Sequence, residues 1–296
     1  MLIKIKHGLF IVLITTMLLS CISGLKFNKY SGYAYSVDLQ FGVFQNVYTL
    51  GPYISISINH DNHLAFFDTG MAGRIGLMLT KEDIEKHGFE EIDEHRFASL
   101  DKFYSVSEYI LPDIVIDNKF TIENINISER PQEYLSGGST MSIGLSPFKD
   151  YNILISYEQK KLFLYPKDIS LAFLRNWTKV DIIKRENSTS NEPTFYGNVV
   201  GLDKQYVFYL DTGSSLYDVK TDTVADLILT REIRDFATEN RQMIYEFSGR
   251  KFIINRWAFL GDINQNAPID AFIGHYILQQ YDIFLDLDNG AFYIEN

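Results

Sequence analysis

This sequence predicts an all-β protein of two similar barrel-like lobes, about six strands each, related by a pseudo-twofold axis and carrying few short helices. Three observations predict it. Short runs of Val, Ile, Phe and Tyr alternate with Asn, Asp and Gly turns from residue 35 onward, with little helical periodicity. Two blocks of the chain recur. Each copy of the first block ends an apolar run on the same tripeptide, Asp68-Thr69-Gly70 after Leu64-Ala65-Phe66-Phe67 and Asp211-Thr212-Gly213 after Tyr206-Val207-Phe208-Tyr209-Leu210.

With 296 residues, 46% hydrophobic, 15% aromatic and only 7 prolines, the chain has material for two cored lobes and is unlike a disordered segment. Its formal net charge of -11 argues against nucleic acid or an anionic membrane surface as a partner, since both select a basic face. At the N-terminus Lys4, Lys6 and His7 precede an apolar stretch from Gly8 to Leu19, the pattern of an export signal over residues 1–20. The stretch is too short for a confident membrane span. It ends on Leu18-Leu19-Ser20-Cys21, which resembles a bacterial lipobox. That resemblance implies a lipid on Cys21, which would hold the chain to a membrane, and Ile22 lacks the Asp-type retention signal, which favours the outer membrane. An ordinary cleaved signal is the alternative. Cys21 is the only cysteine, so no disulfide forms within the chain and core burial must supply stability.

Residues 21–34 read as a tether, 35–166 as the first lobe, 167–177 as a connecting segment with a short helix, and 178–296 as the second lobe. Setting Asp68 on Asp211, an offset of 143, also sets Val37-Asp38-Leu39 on Val180-Asp181-Ile182. The polar turn His60-Asp61-Asn62-His63 then falls on Asp203-Lys204-Gln205-Tyr206, so both copies read strand, strand, hairpin turn, strand, Asp-Thr-Gly. A second block recurs at an offset of 130: Ile143-Gly144 meets Ile273-Gly274, Tyr151 to Ile155 meets Tyr281 to Leu285, and Leu162 to Leu164 meets Phe292 to Ile294. The first copy is therefore longer between its blocks. It holds a helix candidate at Lys81 to His87 with Thr80 as N-cap, then two strands, Tyr109 to Ile116 and Phe120 to Ile127, about an Asp117-Asn118-Lys119 turn. In the second half Thr221 to Asp226 reads as a weaker helix.

Asp-Thr-Gly after an apolar strand, followed downstream by an apolar-apolar-Gly segment, resembles the aspartic protease pattern, and it occurs twice: Asp68 with Ile143-Gly144 and Asp211 with Ile273-Gly274. The resemblance covers nearly all of residues 35–296. The phrasing around Pro268 to Gly274 is similar to retropepsin-like members, and two lobes in one chain is pepsin-like. What it implies is a peptide-hydrolysing dyad of Asp68 and Asp211, supported by cross-bonding Thr69 and Thr212, by Gly70 and Gly213, which let backbone approach the acids, and by Ser214. It implies a peptide or protein substrate and a monomer. Two carboxylates brought together cannot both ionise cheaply, so the pair would share a proton and activate a water, with no metal or cofactor required.

The sequence departs from the pattern twice. Met71 stands where the second copy has Ser214, and the first half offers Phe97 to Tyr104 as a flap without the expected Gly. Tyr104 reads as an ordinary strand tyrosine, and Tyr245 to Phe252 is the better hairpin. These departures support an alternative, an inactive lipoprotein of the same fold that binds a peptide or protein in its cleft. Other motifs carry less. His60 and His63 sit on a turn with no third metal ligand placed by spacing, Gly137-Gly138-Ser139-Thr140 lacks the Lys of a phosphate loop, and Asp286 to Gly290 lacks the downstream Glu of a calcium loop.

Overall fold

A computed structural model describes residues 29–41, 51–71, 73–98, 103–130, 141–183, 192–218, 223–259 and 269–296. The export signal, Cys21 and the Gly137 to Thr140 loop lie outside them. Among the described residues no helix is long and apolar enough to cross a membrane.

Two eight-stranded sheets, one per lobe, sit on a shared six-stranded sheet. In the first lobe Pro52–Ile58, Asp61–Phe67, Ser142–Ile143, Leu77–Leu79, Phe120–Glu129 and Phe103–Ile116 follow one another, and the last pairs back on the first. Six strands thus close into a barrel around Ile54, Ile56, Phe67, Leu111, Ile114 and Ile127, all essentially buried. In the second lobe the strand matching Phe120–Glu129 is split into Arg250–Ile254 and Trp257–Phe259, which pair with different neighbours. That lobe is a half-barrel. The expected all-β plan of two similar lobes with few short helices is the observed one.

The shared sheet runs Tyr35–Asp38, Lys161–Pro166, Tyr151–Ser156, Ile283–Asp286, Ala291–Ile294, Thr178–Asp181, three strands from each half. Its registers reproduce the sequence repeat. Val37 pairs Leu162 as Val180 pairs Phe292, and Ile153 pairs Leu164 as Ile283 pairs Ile294. At the centre Leu154 pairs Phe284, its own counterpart at the offset of 130. A residue can pair with its symmetry mate only on the axis, so the pseudo-twofold passes through this pair. Both side chains are fully buried, in a cluster with Phe163, Tyr165 and Leu174.

Tight turns join several neighbouring strands. Asn59 and His60 have positive φ (49° and 72°), as do Asp117 and Asn118 (49° and 51°) and Ser248 and Gly249 (50° and 75°). The first and last pairs make two-residue hairpin turns of the kind that matches strand twist, and Asp117 and Asn118 open a three-residue loop that ends at Lys119. The first turn is therefore Asn59-His60, and Asp61 to His63 already belong to the strand. Its counterpart is longer: Ser57 pairs Asn62, whereas Asn198 pairs Gln205, so the offset of 143 slips by two in the outer strand.

The helix Lys81–His87 forms as expected, with Thr80 Oγ1 accepting from Asp83 N–H and Gly88 in the left-handed region closing it. The weaker helix expected over Thr221 to Asp226 is instead a strand, Thr223–Ile228, paired with Ser215–Asp218. Thr223 and Val224 are β-branched and prefer the pleated surface. A helix follows that strand instead, Arg231–Asn240, held by buried Ile233 and Ala237 one turn apart. The expected connecting helix is reduced to one 3₁₀ turn, Leu171–Leu174. Before the first strand, Tyr30 and Tyr33 pack on Phe163 at 5.2 and 5.0 Å, and Lys29 pairs Asp282 at 2.9 Å.

Because Phe284 lies on the axis and joins the two halves, Phe284→Ala is expected to lower stability by about 3–5 kcal/mol. Urea unfolding against wild type measures it, and a loss below about 1 kcal/mol would show that the pair is not a shared keystone.

Candidate active site

Each tripeptide continues a strand that is locked on both sides. Asp61–Phe67 runs parallel to Ser142–Ile143, and Gln205–Leu210 parallel to Ala271–Ile273. The next backbone bonds fall on the acids: Asp68 N–H donates to the Ile143 carbonyl at 2.9 Å and Asp211 N–H to the Ile273 carbonyl at 3.0 Å. A turn follows at once, closed by Met71 N–H on the Asp68 carbonyl (3.1 Å) and by Ser214 N–H on the Asp211 carbonyl (3.2 Å).

The two turns meet through their threonines, both fully buried. Thr69 N–H donates to Thr212 Oγ1 at 3.0 Å, and Thr212 N–H to Thr69 Oγ1 at 2.9 Å. Each hydroxyl then donates across to the opposite strand, Thr69 to the Leu210 carbonyl (3.1 Å) and Thr212 to the Phe67 carbonyl (2.7 Å). Four buried bonds, two from each side, fix the spacing of the halves at this level.

Above them Gly70 N–H donates to Asp68 Oδ1 at 2.8 Å and Gly213 N–H to Asp211 Oδ1 at 2.7 Å. A Cβ on Gly70 would lie 2.7 Å from the Asp211 carboxylate, and one on Gly213 3.1 Å from Asp68 Oδ1. This approach requires a glycine at position 70, and at position 213 any side chain would press on both acids. The two carboxylates thus face each other across the paired turns, and each shifts the other's titration. Burial raises the Asp68 pKa, with opposing pulls from the facing Asp211 carboxyl, the Gly70 N–H and the charge of Arg130. Asp211 is pushed well above the usual carboxylate range, first by burial and then by the facing charge of Asp68. The pair holds a proton where isolated acids would have lost it.

Ser214 Oγ donates to the Asp211 carbonyl at 2.9 Å. Met71 has no hydroxyl to do the same. Its side chain is buried, and its carbonyl accepts from Leu145 N–H at 2.9 Å. A Cβ on Gly144 would stand 2.1 Å from that carbonyl oxygen, so the glycine of the downstream segment seats the Met71 loop. Two contributors escaped the sequence reading. Tyr209 donates its hydroxyl to the Gly70 carbonyl at 2.7 Å, a bond between lobes where the first copy has Phe66; a polar-tipped ring two residues before the acid was the available signal. Buried Arg130 lies outside both repeats and had none. The hairpin carrying the flap candidate exists, with Phe97 paired to Tyr104, but its tip and the Tyr104 side chain lie outside what is described.

Two β lobes meeting at paired Asp-Thr-Gly turns define the aspartic protease fold, and solved structures agree. The aspartic proteinase from Irpex lacteus superposes with a TM-score of 0.54 over 88% of this chain and 97% of its own, at 10% sequence identity. No protein-family pattern matches the chain, and no curated protein matches it in sequence. The likeness is one of fold.

Thr212→Val keeps the volume but orphans the Thr69 N–H and the Phe67 carbonyl, an expected loss of about 2–4 kcal/mol. Thr212→Ser keeps the hydroxyl and is expected to recover most of it in the same unfolding measurement. Equal stability of the two variants would contradict the threonine lattice.

Proposed function

We propose that the chain is an aspartic endopeptidase with Asp68 and Asp211 as its catalytic dyad. The observation that supports this best is the facing of two raised-pKa carboxylates, each against the other half's glycine turn, above the crossed threonines. Two facing acids held partly out of water are costly unless they are used. That a facing pair shares one proton is the established property of aspartic protease dyads, taken over from that family. Asp211, the more strongly raised, is assigned the proton and polarises the peptide carbonyl. Asp68 takes a proton from the water that attacks it. Proton return to the leaving nitrogen then separates the products. Gly70, Gly213, Thr69, Thr212 and Ser214 hold the pair in place.

The proposed substrate is an extended peptide or protein segment lying between the lobes. The same proposal places the protein outside the cytoplasm as a monomer, anchored to a bacterial outer membrane by lipid on Cys21. A second reading, a non-catalytic peptide-binding lipoprotein, is favoured by one observation: the Ser214 hydroxyl bond to Asp211 has no counterpart at Met71.

The pH dependence follows from the raised values. Activity needs one proton on the pair, so it falls as pH rises through the Asp211 pKa and that proton leaves, and falls again in acid as Asp68 takes a second. Purified protein assayed on a mixed peptide library from about pH 3 to pH 7 is expected to show such a bell, centred above the ordinary aspartate value of about 3.9. Asp68→Asn and Asp211→Asn are each expected to reduce cleavage by about 10³-fold or more. Cleavage that persists in either variant would remove the dyad, and no cleavage at any pH would favour the binding protein.

A further inference from the structure

The third ligand that spacing along the chain did not place beside His63 is supplied by folding. Asp61 and His63 lie two apart on the strand Asp61–Phe67 and so share a face. His87 ends the helix Lys81–His87, which brings it against them. One ligand-capable atom from each of the three lies within 4.8 Å of the others. His63 Nε2 and His87 Nε2 are both buried and lack a hydrogen-bond partner, and the His87 side chain is only 5% exposed. Its ring is held by stacking on Phe89, centroids 5.5 Å apart at 23°, and meets His63 edge to face at 6.1 Å. Two inward-facing imidazole nitrogens without partners are costly in a buried seam.

We propose that Asp61, His63 and His87 bind a divalent transition-metal ion, with Zn²⁺ the best match. Two imidazoles and one carboxylate, with a water completing a tetrahedron, suit zinc; calcium and magnesium call for oxygen ligands throughout. Bonds of about 2.0–2.1 Å would draw the three atoms to about 3.3 Å from one another, a modest closure of flexible side chains. Lys86 Nζ, 2.7 Å from Asp61, must release the carboxylate. Both members are largely exposed, and such pairs contribute little. The Asn59 amide faces His87 Nδ1 at 3.4 Å. Turned so that its oxygen accepts from Nδ1–H, it leaves the Nε2 lone pair to the metal.

Pseudo-symmetry shows what the site is for. The positions matching Asp61 and His63 are Lys204 and Tyr206. There Lys204 ion-pairs with Glu232 of the helix Arg231–Asn240 and lies 4.8 Å over the Tyr206 ring. The second lobe thus joins its hairpin to its helix by an ion pair, and the first has the metal ligands at the same seam. The stretch clamped between His63 and His87 contains Asp68, Thr69 and Gly70, so the ion would stiffen the first half of the acid pair without touching it.

The test uses the purified full chain, stripped by chelator and titrated with Zn²⁺ alone, the metal being counted by emission spectrometry after gel filtration. One zinc per chain is expected. His63→Ala and His87→Ala are each expected to weaken binding by about 10-fold or more, while His60→Ala, on the exposed turn, leaves it unchanged. Ring-nitrogen NMR of the unsubstituted protein avoids any loss of folding in the variants: zinc is expected to shift Nε2 of His63 and His87 and not of His60. Absence of retained zinc, equal retention in all three variants, or shifts confined to His60 would overturn the site.

Discussion

The crossed hydrogen bonds of Thr69 and Thr212 are the constraint on which the rest depends. Each threonine gives its N–H to the other's hydroxyl and its own hydroxyl to the other's strand. Neither half can satisfy these groups alone. The symmetric six-stranded sheet, with Leu154 and Phe284 on the axis, brings the halves into register so that the bonds can form. From that register follow the glycine contacts, the meeting of the carboxylates and the lobe-bridging bond from Tyr209 to Gly70.

The arrangement stores an electrostatic penalty. Burial and mutual repulsion act against the acids, while the Gly70 and Gly213 N–H groups and the charge of Arg130 offset part of it. Sites of this kind are maintained by the surrounding structure and are where stability yields to function. The two halves differ where the acid turns end. Ser214 returns a bond to its own turn, whereas the Met71 loop is held from outside by Leu145 and needs Gly144 beneath it. The same geometry is thus supported by different local means, which is how a duplicated chain diverges while keeping its axis.

Much of the fold was legible because strand pairing is strict about register. A one-residue slip turns every side chain to the wrong face, so a duplicated sheet keeps its spacing, and the offsets of 143 and 130 reappear as paired residues. Loops have no such bond, and there the sequence reading drifted: the first hairpin turns at Asn59-His60 rather than over His60 to His63, and the second is longer by two. The helix Arg231–Asn240 was missed because only Ile233 and Ala237 mark its buried face, and the strand before it was read as a helix. In the site, the acids, threonines and glycines announced themselves as a repeated motif. Arg130, and His87 beside His63, are brought in by tertiary packing alone, which no spacing along the chain encodes.

The central claim, that the two halves place Asp68 and Asp211 close enough to share one proton, is tested most directly by a carboxyl-carbon NMR titration of the aspartates, assigned with Asp68→Asn and Asp211→Asn. The account predicts two resonances that titrate in coupled steps, the upper one well above the ordinary value of about 3.9 and falling toward it when the partner is replaced. Two independent titrations near about 3.9, each indifferent to the other substitution, would contradict it.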